Sequence, residues 1–398
     1  MHVKHIPVLL SALVACGTAG AQAWDYDPSA SLSGFGTLGV VQTNTNLGNF
    51  VSPGQHYGAT RALSFEPDTI LGIQGTARLN PVFSATIQVL TKEDGRNSYE
   101  PQAEWAFAKA QVLPELALRF GRMGAPFFAV SDFRYVGYSN LWVRPPLDVY
   151  GQVPISHFDG ADAIYQWTRG FGTVSVQIFG GKANAIDDTT PVHISHQVGL
   201  NVTAELDNGV TLRIGRSNER LTVDLPSITS LGNTVTAYGY PVLGDQINPI
   251  DKRANFTGVG VSVDRGNWVA NGEFTRRRTE SFVPNTTGWA VTVGHRFGSF
   301  TPYVVASRLR YDGTAIVDTL PSYFAPLPQI VDGLTVAYDP SQKTHSAGLR
   351  WDVAPSVDIK TQFDRVQVGQ SAALFSRVSA GLANSTVNVY SITLDFVF

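Results

Sequence analysis

This chain has almost no residues that could cross-link it and few that favour long helices. Among 398 residues there are one cysteine and two methionines, so no intrachain disulfide can form. Charged side chains make up only 15% of the residues and the net charge is −3, which excludes the strongly basic surface of a nucleic-acid-binding protein. Glycine (38 residues) and phenylalanine (22 residues) are abundant instead, and this composition favours strands and turns.

The amino terminus is typical of a secretory signal peptide. An apolar core at residues 6–16 is followed by the small-x-small triplet Ala21-Gln22-Ala23. We predict that residues 1–23 are removed on export, because the apolar core is shorter than the about 20 residues that a membrane-spanning helix needs. A second interpretation is that residues 13–15 precede a lipid-modified Cys16. Beyond this segment no apolar run reaches the about 18 residues expected of a membrane helix.

The carboxyl terminus alternates apolar and polar side chains up to its last residue. Tyr390, Ile392, Leu394, Phe396 and Phe398 are apolar, and Ser, Thr and Asp occupy three of the four positions between them. A period of two predicts a strand with one apolar face. The pattern recurs in segments of about 10 residues, the length that a tilted strand needs to cross a bilayer. These sixteen segments lie near residues 31–43, 68–80, 82–92, 102–112, 116–123, 159–168, 171–181, 193–206, 209–221, 254–264, 267–279, 287–298, 300–311, 343–353, 357–368 and 387–398.

The connections between these segments alternate in length. Seven are tight turns, at residues 80–81, 113–115, 169–170, 207–209, 265–266, 298–299 and 355–356. The others are mostly long, and the longest lie at residues 44–67, 124–158, 222–253 and 312–342. A soluble sandwich has no reason to keep every second turn short, whereas an outer-membrane barrel has short periplasmic turns and long outer loops. We therefore predict an all-β fold, a transmembrane antiparallel β-barrel of 16 strands that occupies residues 24–398 as one domain and pairs its last strand with its first.

Several aromatic residues lie near the ends of the predicted strands. Aromatic girdles flank the apolar band of transmembrane barrels, and we interpret these residues as part of such girdles. A second interpretation is that they are core aromatics, which strands favour in any β protein. The residues are Trp105, Trp268, Trp289, Tyr303, Tyr311, Trp351 and Phe398.

With these features the sequence resembles the general trimeric porins of Gram-negative outer membranes. The resemblance covers the whole mature chain and rests on the signal peptide, the Gly-rich first strand at residues 34–39, the sixteen strands and the terminal Phe398. It implies an outer-membrane location, a homotrimer, and contact with outer-membrane lipid and lipopolysaccharide. It also implies that the last strand and its terminal aromatic are the signal read by the outer-membrane assembly machinery.

Two short motifs point to other functions but fit a barrel better. Residues 34–39 have the G-x-G-x-x-G spacing of a dinucleotide-binding loop, yet Val40 and Val41 continue a strand where such a loop must begin a helix. His193 and His196 could bind a metal, but a spacing of three residues places them on opposite faces of a strand. We therefore expect no cofactor, no metal site and no enzymatic activity.

The connection at residues 124–158 is long and rich in aromatic residues. A loop of this kind is costly to expose to water, so we expect it to pack against protein. In porins the loop at this position folds into the barrel and narrows the pore, and the resemblance implies the same constriction here. A trimer contact or an outer cap is the alternative. The loop lacks the Pro-Glu-Phe-Gly-Gly motif of the best-known porins and carries Trp-Val-Arg-Pro-Pro-Leu-Asp, residues 142–148, instead.

Four basic residues are predicted to line the inner face of the wall at similar depth. The apolar rows beside them place Arg119, Arg213, Arg350 and Lys360 inward, about four to six residues from their periplasmic turns. Further candidates lie nearer strand ends or on the loop: Arg78, Arg122, Arg134, Arg144, Arg308 and Arg310.

Porins generally set basic wall residues against acidic loop residues, and the resulting transverse field selects polar solutes. The resemblance implies this role for Asp132 and Asp148 of the loop. The predicted function is passive diffusion of small hydrophilic solutes and ions, with a mild anion preference. A substrate-selective channel for small anions or carboxylates is the first alternative, and a barrel enzyme or receptor is the second.

Overall fold

Strands with one apolar and one polar face build the wall of this protein. In the last strand, Thr386–Val397, Tyr390 and Ile392 are 51% and 57% exposed, whereas Ser391 and Thr393 are 3% and 1% exposed. Over residues 390–395 the exposed row is apolar and the covered row is polar, the reverse of a soluble protein. A wall surrounded by lipid requires this arrangement, because its outer face meets hydrocarbon and its inner face meets water or protein.

The computed structural model describes residues 28–372 and 375–398, so the predicted signal peptide, residues 1–23, and Cys16 lie outside the described residues. The strands are β1 (Ser29–Thr43), β2 (Asn49–Phe50), β3 (Ile70–Arg78), β4 (Phe83–Lys92), β5 (Gln102–Leu113), β6 (Leu116–Gly124), β7 (His157–Arg169), β8 (Gly172–Asp187), β9 (Thr190–Leu206), β10 (Val210–Val223), β11 (Lys252–Arg265), β12 (Trp268–Thr279), β13 (Thr286–His295), β14 (Phe300–Tyr311), β15 (Gln342–Ala354), β16 (Val357–Val368), β17 (Phe375–Ser376) and β18 (Thr386–Val397). The short strands β2 and β17 pair with each other. The other sixteen form a closed antiparallel barrel in which β1 pairs with both β3 and β18, as predicted.

One outer connection is shorter than the sequence pattern predicted. Strand β8 ends at Asp187 and β9 begins at Thr190, so a two-residue turn replaces the connection expected at residues 182–192. Asp188 takes the left-handed conformation that such a turn needs, with φ of 54°. The two strands, of 16 and 17 residues, are the longest that the structure describes.

A β-bulge in β9 changes the faces of the two candidate histidines. The register between β9 and β10 shifts between Asn218 and Arg220, and His196 has a φ of 51°. Because the extra residue resets the alternation, His193 and His196 are both exposed, and the prediction of opposite faces was wrong. Within residues 28–372 and 375–398, no group of three or more His, Cys, Asp or Glu side chains could hold a metal ion.

The predicted aromatic residues divide between the two faces of the wall. Trp268, Trp289, Trp351 and Phe398 are exposed on the outer face. Tyr303 was wrongly predicted to lie in a girdle, because it belongs to the inward row of β14 and its hydroxyl donates to Gln362 Oε1 at 2.8 Å. Trp105 and Tyr311 are partly covered.

In the described part of the chain, four α-helices lie in the connections between strands. They are α1 (Leu147–Tyr150), α2 (Pro226–Ala237), α3 (Pro241–Ile247) and α4 (Leu327–Ala337). The last three begin with proline in the first turn, where its missing N–H costs no helical hydrogen bond. They pack together around Ile228, Leu243 and Val331. No helix in the described part of the chain is long and apolar enough to cross a membrane.

Candidate functional site

The connection between β6 and β7 is held by side chains from many strands of the wall. It contains two short 3-10 turns, Ser131–Phe133 and Gly137–Ser139, and helix α1. Its four prolines have no N–H to donate to a sheet, so the backbone follows an irregular path. We call residues 125–156 the bridging segment. The wall residues that bind it lie in the covered rows of their strands.

The first part of the bridging segment is bound by Arg213 of β10 and Glu273 of β12. Arg213 donates from Nη1 to the Phe127 carbonyl at 3.2 Å and from Nη2 to the Pro126 carbonyl. Glu273 Oε1 accepts a hydrogen bond from the Ala129 amide at 2.8 Å. A wall cation therefore binds backbone carbonyls and a wall anion binds a backbone amide of the same turn, which orients that turn.

The middle of the bridging segment is bound by two further wall cations. Arg350 of β15 donates to the carbonyls of Tyr138 and Asn140 at 2.7 and 3.1 Å. Lys360 of β16 donates to the Gly137 carbonyl at 2.6 Å. Arg213, Arg350 and Lys360, which the sequence placed on the inner face, thus all bind this one segment.

Carboxylates neutralise the cations that bind the middle of the segment. Lys360 Nζ lies 3.0 Å from Asp395 Oδ2 of β18 and 3.6 Å from Asp358 Oδ1. Arg350 Nη2 lies 3.0 Å from Asp358 Oδ2. All three side chains of the Lys360, Asp358 and Asp395 group have no exposed surface. A buried charge must be paired in this way, because an uncompensated one is strongly destabilising.

Arg144 of the bridging segment is itself buried in a network of wall groups. It donates from Nε to Asp68 Oδ1 at 2.8 Å and from Nη1 to Asp364 Oδ2 at 3.1 Å. It also donates from Nη2 to Ser391 Oγ at 2.6 Å. These partners belong to the chain before β3, to β16 and to β18. A guanidinium suits this role because its donors point in several fixed directions at once.

Asp148 is the second residue of the short helix α1 and contacts strands β14 and β15 of the wall. Its carboxylate accepts hydrogen bonds from Ser307 of β14 and from Gln342 Nε2 of β15, the latter at 2.9 Å. Burial raises the pKa of Asp148 above its ordinary value, although these hydrogen bonds act in the other direction. Within residues 28–372 and 375–398 no cationic side chain forms a salt bridge with Asp148, so Asp148 attaches the segment by hydrogen bonds from neutral groups.

Two more side chains attach the bridging segment to β12 and β13. Trp142 Nε1 donates to Thr292 Oγ1 at 2.7 Å, and Gln152 Nε2 donates to Thr275 Oγ1 at 2.6 Å. Gln152 Oε1 accepts from the Thr286 hydroxyl at 2.8 Å. Each of these groups is buried, so the hydrogen bonds satisfy polar atoms that water cannot reach.

Aromatic packing supports the same attachment. The Phe127 and Phe128 rings lie edge-on to Phe256 of β11, with centroids 5.5 and 5.2 Å apart, and Phe128 also packs on Tyr150 at 4.6 Å. At these distances, aromatic pairs contribute stability beyond that of their buried area. The aromatic residues that made this connection distinctive in the sequence are therefore largely buried against the wall.

A row of mostly charged side chains crosses five neighbouring strands of the wall, β3 to β7. The strand register aligns Arg78, Ser84, Lys109, Arg119 and Asp162 across β3 to β7. Arg119 donates from Nε to Asp162 Oδ1 at 3.0 Å. Among the described residues, neither Arg78 nor Lys109 has a carboxylate within 4.0 Å. The row therefore carries three cations and one anion.

The remaining predicted residues lie near this row. Arg122 forms a two-pronged ion pair with Asp159, at 2.8 and 2.9 Å, and both side chains are about one-third exposed. Asp132 is exposed on the bridging segment. Arg134 donates to the Tyr135 hydroxyl at 2.8 Å.

Two of the further candidates lie on the outer face of the wall. Arg308 and Arg310 of β14 lie in the same row as Val304, which is 58% exposed. The prediction that they face inward was wrong, because a period of two keeps residues 304, 308 and 310 on one face.

Three acids that pair with buried cations of the wall or of the bridging segment, Asp68, Asp358 and Asp364, were not among the predicted site residues. For Asp358 and Asp364 a signal was available, because they share the even-numbered row of β16 with Lys360 and must face the same way. No local signal marks Asp68, which lies in an irregular connection and meets Arg144 only in the folded chain.

The comparisons with known proteins agree with this architecture. The sequence model for Gram-negative porins matches residues 9–371 of the chain. No curated protein sequence matches it.

Solved structures of similar fold include the following three proteins. The outer-membrane channel DcaP of Acinetobacter baumannii is 10% identical, with 96% of this chain and 100% of that chain covered and a TM-score of 0.56. The anion-selective porin from Comamonas acidovorans is 13% identical, with coverage of 94% and 100% and a TM-score of 0.55. Salmonella typhi OmpF, in complex with daunomycin, is 13% identical, with coverage of 92% and 97% and a TM-score of 0.55. At these identities the likeness concerns the fold.

Proposed function

The chain belongs to the family of Gram-negative porins, and we propose that this outer-membrane channel passes small hydrophilic solutes and ions by passive diffusion through a lumen narrowed by the bridging segment. One observation carries the proposal. The bridging segment binds covered side chains from β10, β12, β13, β14, β15, β16 and β18 together. The wall is closed, so one segment can contact inward-facing side chains on so many strands only if it lies inside the barrel. This position supports a constriction of the pore. It argues against a trimer contact and against an outer cap.

We propose different roles for two groups of the predicted site residues. Arg144, Asp148 and Lys360 have almost no exposed surface, so they act as anchors of the bridging segment. Arg78 and Asp132 are exposed, and Arg119 and Arg122 keep part of their surface, so these residues line the water path. Arg213 and Arg350 bind backbone carbonyl groups of the bridging segment. Arg134 lies beside the water path.

The charge of the lining supports a mild anion preference. The row from Arg78 to Asp162 carries three cations and one anion, and charges in a narrow pore act strongly on permeating ions. A substrate-selective channel with an aromatic binding slide has less support, because Phe127 and Phe128 are 3% and 1% exposed and cannot contact a passing solute. No catalytic step enters the proposal.

Two further features belong to the same proposal. We propose that residues 1–23 are removed as a signal peptide, so that residues 24–398 form the mature single-domain barrel. We also propose a homotrimer in contact with outer-membrane lipid, as the family resemblance implies.

Conductance across a planar bilayer tests the channel. The purified protein is reconstituted, and current is recorded under a salt gradient. We expect discrete conductance steps, arriving in threes for a trimer, and a reversal potential that favours chloride. A folded protein that produces no steps would contradict the channel, and a reversal potential that favours the cation would contradict the anion preference alone. Saturable flux of one anion would favour the substrate-selective alternative.

A further inference from the structure

Two long connections fold together at the end of the barrel that is opposite the tight turns. Helices α2 and α3 belong to the connection between β10 and β11, and α4 belongs to the connection between β14 and β15. The helices share a hydrophobic core that includes Val331, and the Gln246 side chain accepts a hydrogen bond from the Val317 amide at 3.0 Å. We call residues 222–251 and 312–341 the helical cluster. Because it has a hydrophobic core, it presents a defined surface beyond the wall.

Aromatic side chains join the two connections on the surface of the helical cluster. The Phe324 ring packs against Tyr238, with ring centroids 5.4 Å apart, and against Tyr240 at 5.9 Å. It also packs against its neighbour Tyr323 at 4.7 Å. Tyr238 and Tyr323 are 56% and 78% exposed, and Val242 of α3 is 72% exposed. Exposed apolar side chains that are grouped in this way mark an interaction site, and tyrosine is enriched at such sites.

The helical cluster carries charge of one sign. Its residues include seven aspartates and no lysine, arginine or histidine. Three of the aspartates pair with cations of the wall strands, and these are Asp245, Asp251 and Asp312. In the described part of the chain, the other four have no cationic side chain within 4.0 Å, and these are Asp224, Asp318, Asp332 and Asp339. The aromatic patch is therefore part of a surface with uncompensated negative charge.

The charge distinguishes between the possible occupants of this surface. A second copy of the chain would place aspartates against aspartates, and an anionic lipid headgroup would meet the same repulsion. A partner that carries lysine or arginine is attracted instead. Its cationic groups can also stack on the exposed tyrosine rings, which attract cations through their faces. Apolar side chains of the same partner would cover Val242 and the Phe324 ring.

We propose that the helical cluster is a docking surface for a cationic amphipathic peptide segment. Tyr238 and Tyr323 bind the cationic side chains of the segment, and Val242 contacts its apolar face. The unpaired aspartates attract the segment and orient it. Since the long loops of such barrels lie on the outer side of the membrane, docking takes place at the cell surface. It involves none of the residues proposed to line the lumen, so it is separate from the channel function.

Fluorescence anisotropy tests the docking surface with the full chain in a neutral detergent and three labelled synthetic peptides of equal length. The first peptide is an amphipathic helix of lysine and leucine. The second has glutamate in place of lysine, and the third has the composition of the first in an order that gives no apolar face. Protein-free micelles provide the blank. We expect the first peptide to bind, with an affinity that falls as the salt concentration rises, the third to bind more weakly and the second not to bind.

Two pairs of variants locate the binding on the helical cluster. Y323S removes an exposed ring and is expected to lower the affinity for the first peptide about twofold to fivefold, the value of an exposed cation–π contact. Its matched control is Y99S, which removes an exposed tyrosine from the connection between β4 and β5 and should leave the affinity unchanged. D332N should lower the affinity about twofold, whereas E100Q, at an exposed acid of that other connection, should not. Heat-dependent migration on a gel verifies that each variant is folded.

Three results would overturn the proposal. One is equal affinity of Y323S and Y99S for the first peptide. A second is binding of the glutamate peptide as tight as that of the lysine peptide, which would assign the surface to anionic occupants, lipid headgroups included. A third is a lower oligomer mass of Y323S than of the unchanged protein in sedimentation velocity, which would assign the patch to a second copy of the chain.

Discussion

Phe398 and Gly34 exchange both backbone hydrogen bonds, with N···O distances of 2.9 Å in each direction. The last residue of the chain is thereby joined to the first strand, and the barrel has no free edge at this seam. The Phe398 ring lies over Gly34, where a Cβ atom would approach its Cζ to 2.3 Å. Gly34 thus leaves room for the Phe398 ring, and Gly36 leaves room for the Phe396 ring, whose Cζ a Cβ atom would approach to 2.5 Å.

The first prediction concerns this seam. Replacing Gly34 by valine forces the Phe398 ring aside and is expected to destabilise the folded barrel by about 1–3 kcal/mol, the usual cost of overpacking. The matched control is G75V on β3, because a Cβ at Gly75 meets nothing closer than 3.8 Å. The fraction of folded protein is read from heat-dependent migration on a gel. Equal stability of the two variants would contradict the packing argument.

The second prediction concerns the anchor of the bridging segment. The change R144M leaves Asp68 and Asp364 buried without their cation, and breaking a buried pair in this way costs about 3–5 kcal/mol. We expect a lower melting temperature and a larger, noisier single-channel conductance, because the segment is released from this part of the wall. R134M is the control, since Arg134 donates to its neighbour Tyr135. A conductance that is unchanged in R144M would show that the segment does not narrow the pore.

The third prediction isolates one hydrogen bond between segment and wall. W142F and T292V each remove one partner of the 2.7 Å bond between Trp142 Nε1 and Thr292 Oγ1. Each single change is expected to cost about 1 kcal/mol or more, because a buried polar group loses its partner. The double variant should cost less than the sum of the two. Strictly additive costs in this double-mutant cycle would mean that the two side chains do not interact.

The fourth prediction concerns ion preference. The change K109Q removes one of the two cations without a carboxylate partner in the row from Arg78 to Asp162. It is expected to move the reversal potential toward cation preference, whereas D132N on the exposed face of the segment should move it the other way. The change R365Q, at an exposed and outward-facing residue of β16, should leave the reversal potential unchanged. Shifts of the same sign in K109Q and D132N would contradict the proposed lining.

The fifth prediction follows from Glu93, which comes directly after β4 and is fully buried. Burial raises the pKa of Glu93 to about 7. The folded protein then binds this proton more tightly than the unfolded chain does, so stability rises as the pH falls from about 7 toward about 4.5 and is lost as the pH rises through 7. E93Q should make the melting temperature less dependent on pH over this range. E100Q, which changes an exposed acid of the same connection, should retain the slope of the unchanged protein.

Much of the wall could be predicted from local sequence, because a strand repeats its faces every two residues. The alternation around Lys360 placed its side chain inward, and in the structure this side chain contacts Asp395 and the bridging segment. The alternation of tight and long connections indicated antiparallel neighbours throughout, and closure follows because an open edge cannot exist in lipid.

Local prediction failed where a bulge interrupts the two-residue alternation of a strand, or where that alternation was not taken into account. The bulge at His196 inserts one residue and reverses the faces of the residues before it. Nothing in the residue types near His196 marks that position, since the bulge depends on how β9 pairs with both of its neighbours. Tyr303 was misassigned for a different reason. Its position near a strand end indicated an aromatic girdle, but the alternation of β14 places its side chain in the inward row.

By itself, the sequence determined the number of strands, their order and the face on which most side chains lie, because these properties depend on neighbours within a few residues. Only the tertiary structure decided which charges meet. Arg144 binds Asp68 and Asp364, which are 76 and 220 residues away in the chain, and local periodicity carries no information about such pairs. The path of the bridging segment depends on many contacts of this kind, and they exist only after the wall has closed around it.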